Sequence, residues 1–255
     1  MNYIIYDLEF NQKFLDSTET EYSTASSLPF EIIQIGALKL NENFETVSKF
    51  NALIKPTVYP SIHPYVESLT KITNDKVSSC KSFVPVYEDF LKFIDKDEAI
   101  LCVWGTGDIK ELLRNIIFYN LSTSSIPKLC IDIQKYASEY LNTPNKSRIG
   151  LKVAVDLLNI HDTGEFHDAL NDAYYTAEVF KHIYNDTMKP SIYEPTFTKR
   201  VAQPKEEIDT AALINQFEKM YNREMSEEEK SMIKLAYIMG KTRQFVINKN
   251  KQPES

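Results

Sequence analysis

Continuous and alternating apolar runs divide most of the chain into short strands and amphipathic helices. Runs rich in β-branched and aromatic residues predict strands, and apolar residues at three- and four-residue steps predict helices. The predicted strands are 3–10, 31–40, 48–55, 99–104 and 129–133. The predicted helices are 82–95, 109–119, 134–141 and 173–184, with a leucine-rich stretch at 150–159 before the last. Three strands followed by alternating strands and helices indicate an α/β domain with a mixed sheet flanked by helices.

The pattern changes after residue 187. Prolines exclude a continuous helix there: Pro190, Pro195 and Pro204. Two helices are predicted beyond them, 209–221 and 227–240, and the second begins with a capping box of Ser226 and Glu229. The predicted organisation is an α/β domain at 1–187, a linker at 188–206 and a small helical extension at 207–255. The extension either docks a protein partner or guides nucleic acid, or it packs back on the first domain and ends in a frayed basic tail, 241–251.

Two acidic residues interrupt the apolar first strand. Asp7 and Glu9 lie between the run 3–6 and Phe10, so their segment is predicted to be a buried strand. Residues two apart in a strand point to the same side, which places the two carboxylates together. Buried like charges are destabilising unless protons or a cation compensate them. A divalent metal site explains the pair, and a solvated edge strand is the alternative.

A third acidic residue follows the predicted strand 99–104. Gly105 and Gly107 break that strand, and Asp108 opens the amphipathic stretch 109–119. Aspartate is favoured as a helix N-cap, and the loops at strand ends of an α/β sheet are where ligands bind. Asp108 is therefore interpreted either as a cap or as a residue of the same site, and both roles fit one geometry.

The spacing of His167 and Asp172 indicates where the next helix begins. Five residues correspond to roughly 140° of rotation at helical pitch, so the two side chains do not share one face of a regular helix. We predict that His167 lies just before or at the start of the helix whose interior carries Asp172. An unpaired carboxylate is disfavoured on a face directed at the core. A lone histidine, by contrast, is ordinarily a surface residue.

Together and in this order, the five residues closely resemble the signature of the DEDD exonuclease superfamily, in its histidine-bearing DEDDh branch with an RNase H-like fold. The resemblance covers residues 1–187. It extends to 30–37, which resembles the family's second strand, and to 69–73, which resembles its Leu-Thr-Gly-Ile-Thr loop. These stretches and Trp104 with its following glycine are most similar to the KapD and Eri subgroup. The loop differs from the family at Lys71, where glycine is usual.

The resemblance implies a metal-dependent 3′-to-5′ exonuclease that acts on single-stranded RNA or DNA ends and releases nucleoside 5′-monophosphates. It assigns two Mg²⁺ or Mn²⁺ ions to four carboxylates, Asp7, Glu9, Asp108 and Asp172. It assigns the general base to His167, since an imidazole accepts a proton near neutral pH. A catalytically silent protein that acts through protein contacts is the alternative function. The filled acidic positions favour the enzyme, because an inactive site has no chemical reason to keep a costly cluster of charges.

The resemblance also suggests substrate contacts on two segments: Leu8 and Phe10, and Leu69, Thr70 and Ile72. Strand alternation directs Leu8 and Phe10 away from the two carboxylates, which makes core filling the favoured role for both. Ordinary anchoring of the loop is the alternative for the other three. The polar stretch 11–28 predicts a loop beside the acids, which either closes on substrate or is a tolerated surface insertion.

Composition limits the kind of nucleic-acid contact. The 255 residues carry a formal net charge of −7, whereas affinity for long nucleic acid comes mainly from Lys and Arg on phosphates. An enzyme that trims ends needs few such contacts, and local basic clusters lie at Lys146, Arg148 and Lys152 and at Lys110 and Arg114.

The three cysteines lack the spacing of zinc ligands, which predicts reduced thiols in a cytoplasmic protein. The sequence shows neither a secretory leader nor a long apolar run, so we predict that the protein does not span a membrane.

Overall fold

A six-stranded mixed sheet forms the centre of the first of two units, Met1–Thr196 and Phe197–Ser255. The structure, a computed structural model, describes residues 1–13, 28–95, 99–144, 147–161, 164–194 and 209–241. The strands are β1 (Asn2–Gln12), β2 (Phe30–Leu40), β3 (Thr46–Leu53), β4 (Ala99–Val103), β5 (Leu129–Asp132) and β6 (Ser191–Ile192). Their order in the sheet is β3-β2-β1-β4-β5-β6. β1 pairs antiparallel with β2 and parallel with β4, so the sheet is mixed as predicted.

Helices cover both faces of this sheet. They are α1 (Pro64–Thr70), α2 (Asn74–Ser78), α3 (Phe83–Ile94), α4 (Gly107–Phe118), α5 (Ile133–Tyr140), α6 (Leu151–Leu157) and α7 (Ala169–Ile183). The apolar sides of α3 and α4 pack with Ile4, Tyr6 and Leu8 of β1 in one core cluster. Those of α5, α6 and α7 pack with Ile5 on the opposite face. Alternate residues of β1 therefore enter different cores, which is the period of two that a strand imposes.

The structure differs from the predicted elements at short segments. The family-like loop at 69–73 includes the end of α1, and the side chain of Thr73 caps α2 by accepting a hydrogen bond from the Lys76 N–H. β6 lies within the predicted linker and pairs with the edge of β5 over two residues. Elements this short carry no periodicity of their own, because their stability comes from caps and from neighbouring strands.

The second unit contains two helices, α8 (Thr210–Tyr221) and α9 (Glu227–Lys241). Asp209 caps α8 by accepting a hydrogen bond from the Ala212 N–H at 2.8 Å. The predicted capping box introduces α9: the Glu229 N–H donates to Ser226 Oγ, and the Ser226 N–H donates to the Glu229 carboxylate.

Several predictions fall on residues outside the described ranges. These are most of the loop 11–28, Lys146, part of the linker 188–206 and the basic tail beyond residue 241.

Candidate active site

The acidic pair of β1 points toward α7. Asp7 and Glu9 alternate with Leu8, which is buried in the opposite core cluster. Phe10 packs at the edge of that same cluster and its ring lies 6.1 Å from that of Phe30. The predicted alternation is therefore present, and Leu8 and Phe10 contribute to the core behind the acids.

A close approach between β2 and α7 brings that helix to the acids. Gly36 pairs with Asp7 across the β1–β2 ladder. A Cβ at this glycine would lie 2.1 Å from the backbone nitrogen of Leu170 and 2.4 Å from the carbonyl oxygen of Ala169. Only glycine therefore allows the first turn of α7 to rest directly on the sheet beside Asp7.

The start of α7 carries the third segment of the predicted site. Asp168 is the N-cap, and its carboxylate accepts hydrogen bonds from the N–H groups of Leu170 and Asn171, both at 3.1 Å. His167 precedes the cap and has a left-handed backbone with φ of 66°. Its N–H donates to Asp172 Oδ2 at 3.2 Å. His167 therefore lies before the helix and Asp172 within its first turn.

Three of the five predicted residues converge in a cluster that can hold a metal. One ligand atom from each of Glu9, His167 and Asp172 lies within 4.8 Å of the others. Glu9 and Asp172 are each only 9 % exposed, whereas His167 is exposed. Asp172 Oδ1 is buried and has no hydrogen-bond partner among the described residues. A buried carboxylate oxygen without a donor is the arrangement expected of a cation ligand.

Asp108 reaches the same region from the other side of β1. β4 runs parallel to β1, and the chain passes from its carboxyl end into α4. The N-cap interpretation of Asp108 is wrong, because Thr106 is the cap and Asp108 is the second residue of the helix. At this position the positive end of the helix dipole favours a carboxylate. The charge of Asp108 also acts on Asp7 and Glu9.

Burial and mutual repulsion raise the pKa of every acid in this group. The pKa of Glu9 rises to about 8, through burial and then the charges of Asp172 and Asp108. That of Asp108 rises to about 7, again through burial and then the charge of Asp172. Burial raises the pKa of Asp172 to about 6 against the lowering effect of the His167 N–H. The pKa of Asp7 lies well above its usual range, through burial and then Asp108, Asp172 and Glu9.

These shifts show that the protein is destabilised when all four carboxylates are ionised. In the absence of cations the carboxyl groups retain protons near neutral pH, whereas bound divalent cations would compensate the charges directly. The carboxylate oxygens are hard donors, which suit Mg²⁺ or Mn²⁺. The residues present therefore fit a divalent metal site.

A cavity of about 250 Å³ opens beside His167. Its walls come from the carboxyl end of α1, from α2, and from the segment that leads into α7 together with the first turn of α7: Leu69, Thr70, Lys71, Lys76, Glu165, Phe166, His167, Asp168 and Asn171. Leu69 and Thr70, two of the suggested substrate contacts, therefore line it. Ile72 instead is 4 % exposed and packs with Ile33, Ile62, Val66 and Val77.

The backbone conformation at Lys71 is one that glycine adopts more easily than lysine. Lys71 ends α1 with φ of 58°, the left-handed conformation that favours glycine. Its ammonium donates to the Ser68 carbonyl oxygen at 2.7 Å. The lysine thus adopts the backbone that glycine adopts more easily, and it adds a positive charge to the cavity wall.

Several residues at the site were not predicted from the sequence. Gln34 Nε2 donates to Asp168 Oδ2 at 2.9 Å, and Gln34 Oε1 accepts from the Ala169 N–H at 3.3 Å. Asp168 also raises the pKa of Glu9. Its N-cap preference before an apolar helix was a usable signal. Nothing local in the sequence marks Gln34 or Lys76.

The fold and sequence place this site in a known class. The sequence model of the RNase T exonuclease family, described as exonuclease, matches residues 4–180. The chain belongs to this exonuclease family, within the DEDDh superfamily, and has its RNase H-like fold. A comparison with curated protein sequences found no match. The assignment to the KapD and Eri subgroup stays a prediction.

Several solved structures share the fold. The nuclease domain of 3′hExo, a DEDDh family member bound to rAMP, is 22% identical with a TM-score of 0.63, over 76% of this chain and 97% of that one. Pop2p of S. pombe, in a Mg²⁺- and Mn²⁺-bound form, is 19% identical with a TM-score of 0.56, over 75% and 89%. E. coli exonuclease I in complex with a dT13 oligonucleotide is 15% identical with a TM-score of 0.55, over 71% and 40%.

Among the described residues, no helix is both long and apolar enough to cross a membrane.

Proposed function

We propose that this chain is a metal-dependent 3′-to-5′ exonuclease that removes nucleoside 5′-monophosphates from single-stranded RNA or DNA ends. The observation that carries the proposal is the convergence of Glu9, His167 and Asp172 within 4.8 Å. Asp7 and Asp108 lie near them, since the charges of Asp108, Asp172 and Glu9 raise the pKa of Asp7 and the charge of Asp108 raises that of Glu9. A nuclease of this family requires such a constellation, whereas a protein that acts only through surface contacts has no use for it.

The four carboxylates would hold the two Mg²⁺ or Mn²⁺ ions. Asp7, Glu9 and Asp172 come from β1 and α7 and would share one ion, and Asp108 with Asp7 would hold the other. When bound, the ions supply Lewis-acid stabilisation of the negative charge that develops on the phosphate oxygens. The roles of the individual acids follow from the family resemblance and from their placement on facing elements.

His167 would act as the general base. Its side chain is exposed beside the acids, so a water molecule can reach it. The imidazole would take one proton from that water as the water oxygen attacks phosphorus and the bond to the 3′-oxygen of the preceding nucleotide breaks. The leaving 3′-oxygen takes a proton from solvent, and the imidazolium returns its proton to solvent after the product departs.

The cavity beside His167 offers a place for the terminal nucleotide. Leu69 and Thr70 provide an apolar and a polar wall, and the ammonium groups of Lys71 and Lys76 provide positive charge for phosphate. The related structures hold rAMP and a dT13 oligonucleotide, which is why both RNA and DNA ends are proposed as substrates. The cytoplasm is the proposed location.

Oligonucleotides labelled at the 5′ end test the reaction. The protein is incubated with single-stranded RNA and DNA in Mg²⁺, in Mn²⁺ and in EDTA, and products are sized and identified by chromatography. We expect a ladder of shortened labelled strands, release of 5′-monophosphates and no reaction in EDTA. Immediate release of the labelled end would refute the direction, discrete internal cuts would indicate an endonuclease, and inert substrate would favour the regulatory alternative.

A matched pair of variants excludes a contaminating nuclease. Glu9→Gln removes a proposed ligand, and Glu139→Gln removes the same charge from the exposed side of α5. Only Glu9→Gln is expected to abolish the ladder. Equal activity of both variants would show that the products come from another protein.

A further inference from the structure

The segment 164–167 is attached to α7 residue by residue. Gly164 and Phe166 contact Tyr175, the carbonyl oxygen of Glu165 accepts from Asn171 Nδ2 at 3.0 Å, and the N–H of His167 donates to Asp172. His167 itself has a left-handed backbone, a conformation that persists in a residue with a Cβ only when its surroundings impose it. The neighbouring contacts therefore decide where the imidazole lies.

Tyr175 makes the most extensive of these contacts. Its hydroxyl donates to the Gly164 carbonyl oxygen at 2.5 Å and accepts from the Gly164 N–H at 2.9 Å. Its ring stacks on that of Phe166, with centroids 4.6 Å apart and planes inclined by 21°. Tyr175 is fully buried, so the contacts form in a core where hydrogen bonds are strong and side chains have little freedom.

Tyr175 and Asp172 lie close together on α7. Tyr175 follows Asp172 by three residues on α7, so the two side chains lie on neighbouring parts of one helix face. One end of the segment is attached through Tyr175, and the other end is attached through Asp172. Movement of Gly164 would therefore be transmitted to His167 over three residues.

We infer that Tyr175 is a positioning residue for His167: its hydroxyl and ring hold 164–166 on α7, which keeps the imidazole beside Glu9 and Asp172. The inference rests on the proposed function, because it assigns a purpose to the placement of the base. Tyr175 does not touch substrate or reacting atoms. It acts through the backbone that leads to His167.

The test uses Tyr175→Phe in the full chain, which removes one oxygen and keeps the stacked ring. The matched control is Tyr87→Phe, since Tyr87 is 2 % exposed and its hydroxyl has no hydrogen-bond partner among the described residues. Amide hydrogen exchange of 164–167 is expected to quicken by about tenfold in Tyr175→Phe, with α7 unchanged from Ala177 onward. The control should show no change in this segment.

Kinetics on the labelled oligonucleotides provide the second readout. We expect the kcat of Tyr175→Phe to fall by about 10- to 100-fold, while KM and Mn²⁺ affinity stay within about twofold. Unchanged exchange at 164–167, or faster exchange with unchanged kcat, would overturn the inference. Inactive wild-type protein would refute the proposed function, and exchange would still report whether Tyr175 orders the segment.

A second variant covers the case in which Tyr175→Phe does not fold. Phe166→Leu removes the ring contact from a half-buried residue outside the helix. It should change exchange and kcat in the same direction by about threefold or more. Wild-type exchange and kcat in this variant would also overturn the inference.

Discussion

Replacing Gly36 by alanine tests how the site is assembled. The new Cβ would lie 2.1 Å from the Leu170 nitrogen and 2.2 Å from the Ala169 carbonyl carbon. Both atoms belong to backbone, so no side chain can rotate away. Restoring an acceptable contact requires α7 and β2 to separate by about 1 Å. That movement would displace Asp172, which lies on α7, and His167, which directly precedes the cap of α7.

The expected losses follow from that displacement. Overpacking of this kind destabilises a fold by roughly 1–3 kcal/mol. A 1 Å shift of the proposed base and ligand relative to Glu9 is expected to lower the rate of hydrolysis by about 100-fold. Mn²⁺ affinity should fall as well, because Asp172 on α7 would move away from Glu9 on β1, the strand paired with β2.

Three assays on two variants separate these effects. Urea unfolding gives the change in stability, calorimetric titration gives the Mn²⁺ affinity, and labelled oligonucleotides give the rate. Gly150→Ala is the control, since a Cβ at Gly150 meets no heavy atom within 4 Å. Its stability should change by less than about 1 kcal/mol. Wild-type stability, affinity and rate in Gly36→Ala would refute the argument that close packing at this glycine assembles the site.

Three further perturbations have defined outcomes. His167→Ala should lower single-turnover cleavage by at least about 100-fold while Mn²⁺ affinity persists, and a parallel loss of affinity would make His167 a ligand instead. The raised pKa values of Glu9 and Asp108, about 8 and about 7, mean that the folded metal-free protein binds more protons than the unfolded chain. Its thermal midpoint should therefore fall as the pH rises from about 5 to about 8, and saturating Mg²⁺ should reduce that fall. A midpoint that rises over this pH range without metal would contradict the raised pKa values. Glu31→Ala should lower the free energy of unfolding by roughly 3 kcal/mol, because the Glu31 carboxylate accepts hydrogen bonds from the N–H groups at 57–59, and a loss below about 1 kcal/mol in urea unfolding would contradict this.

The sequence predicts those parts of the molecule that depend on local pattern. The period of two in β1 separates Asp7 and Glu9 from Leu8, and the five-residue spacing places His167 before the helix of Asp172. The mixed sheet follows from the order of strands and helices. The first two features depend on neighbours within a few residues, and the mixed sheet depends on the order of the elements, so the sequence alone contains this information.

The unpredicted parts depend on contacts between distant residues. The hydrogen bond from Gln34 to Asp168 joins positions 134 residues apart, and the close packing at Gly36 appears only once α7 lies on β2. β6 is a two-residue strand that exists through its pairing with β5. The sequence does not decide whether Asp108 is a helix cap or a site residue, because both kinds of residue occur directly after a strand. The actual cap, Thr106, lies only two residues earlier.

The most direct test of the metal site is anomalous diffraction from crystals grown with Mn²⁺. Recorded near the manganese absorption edge, the maps should show two peaks among the carboxylates of Asp7, Glu9, Asp108 and Asp172. The Glu9→Gln variant should weaken or lose the peak nearest that side chain. The absence of any peak in contact with Glu9 or Asp172 at saturating Mn²⁺ would contradict the proposal that these acids form a cation site.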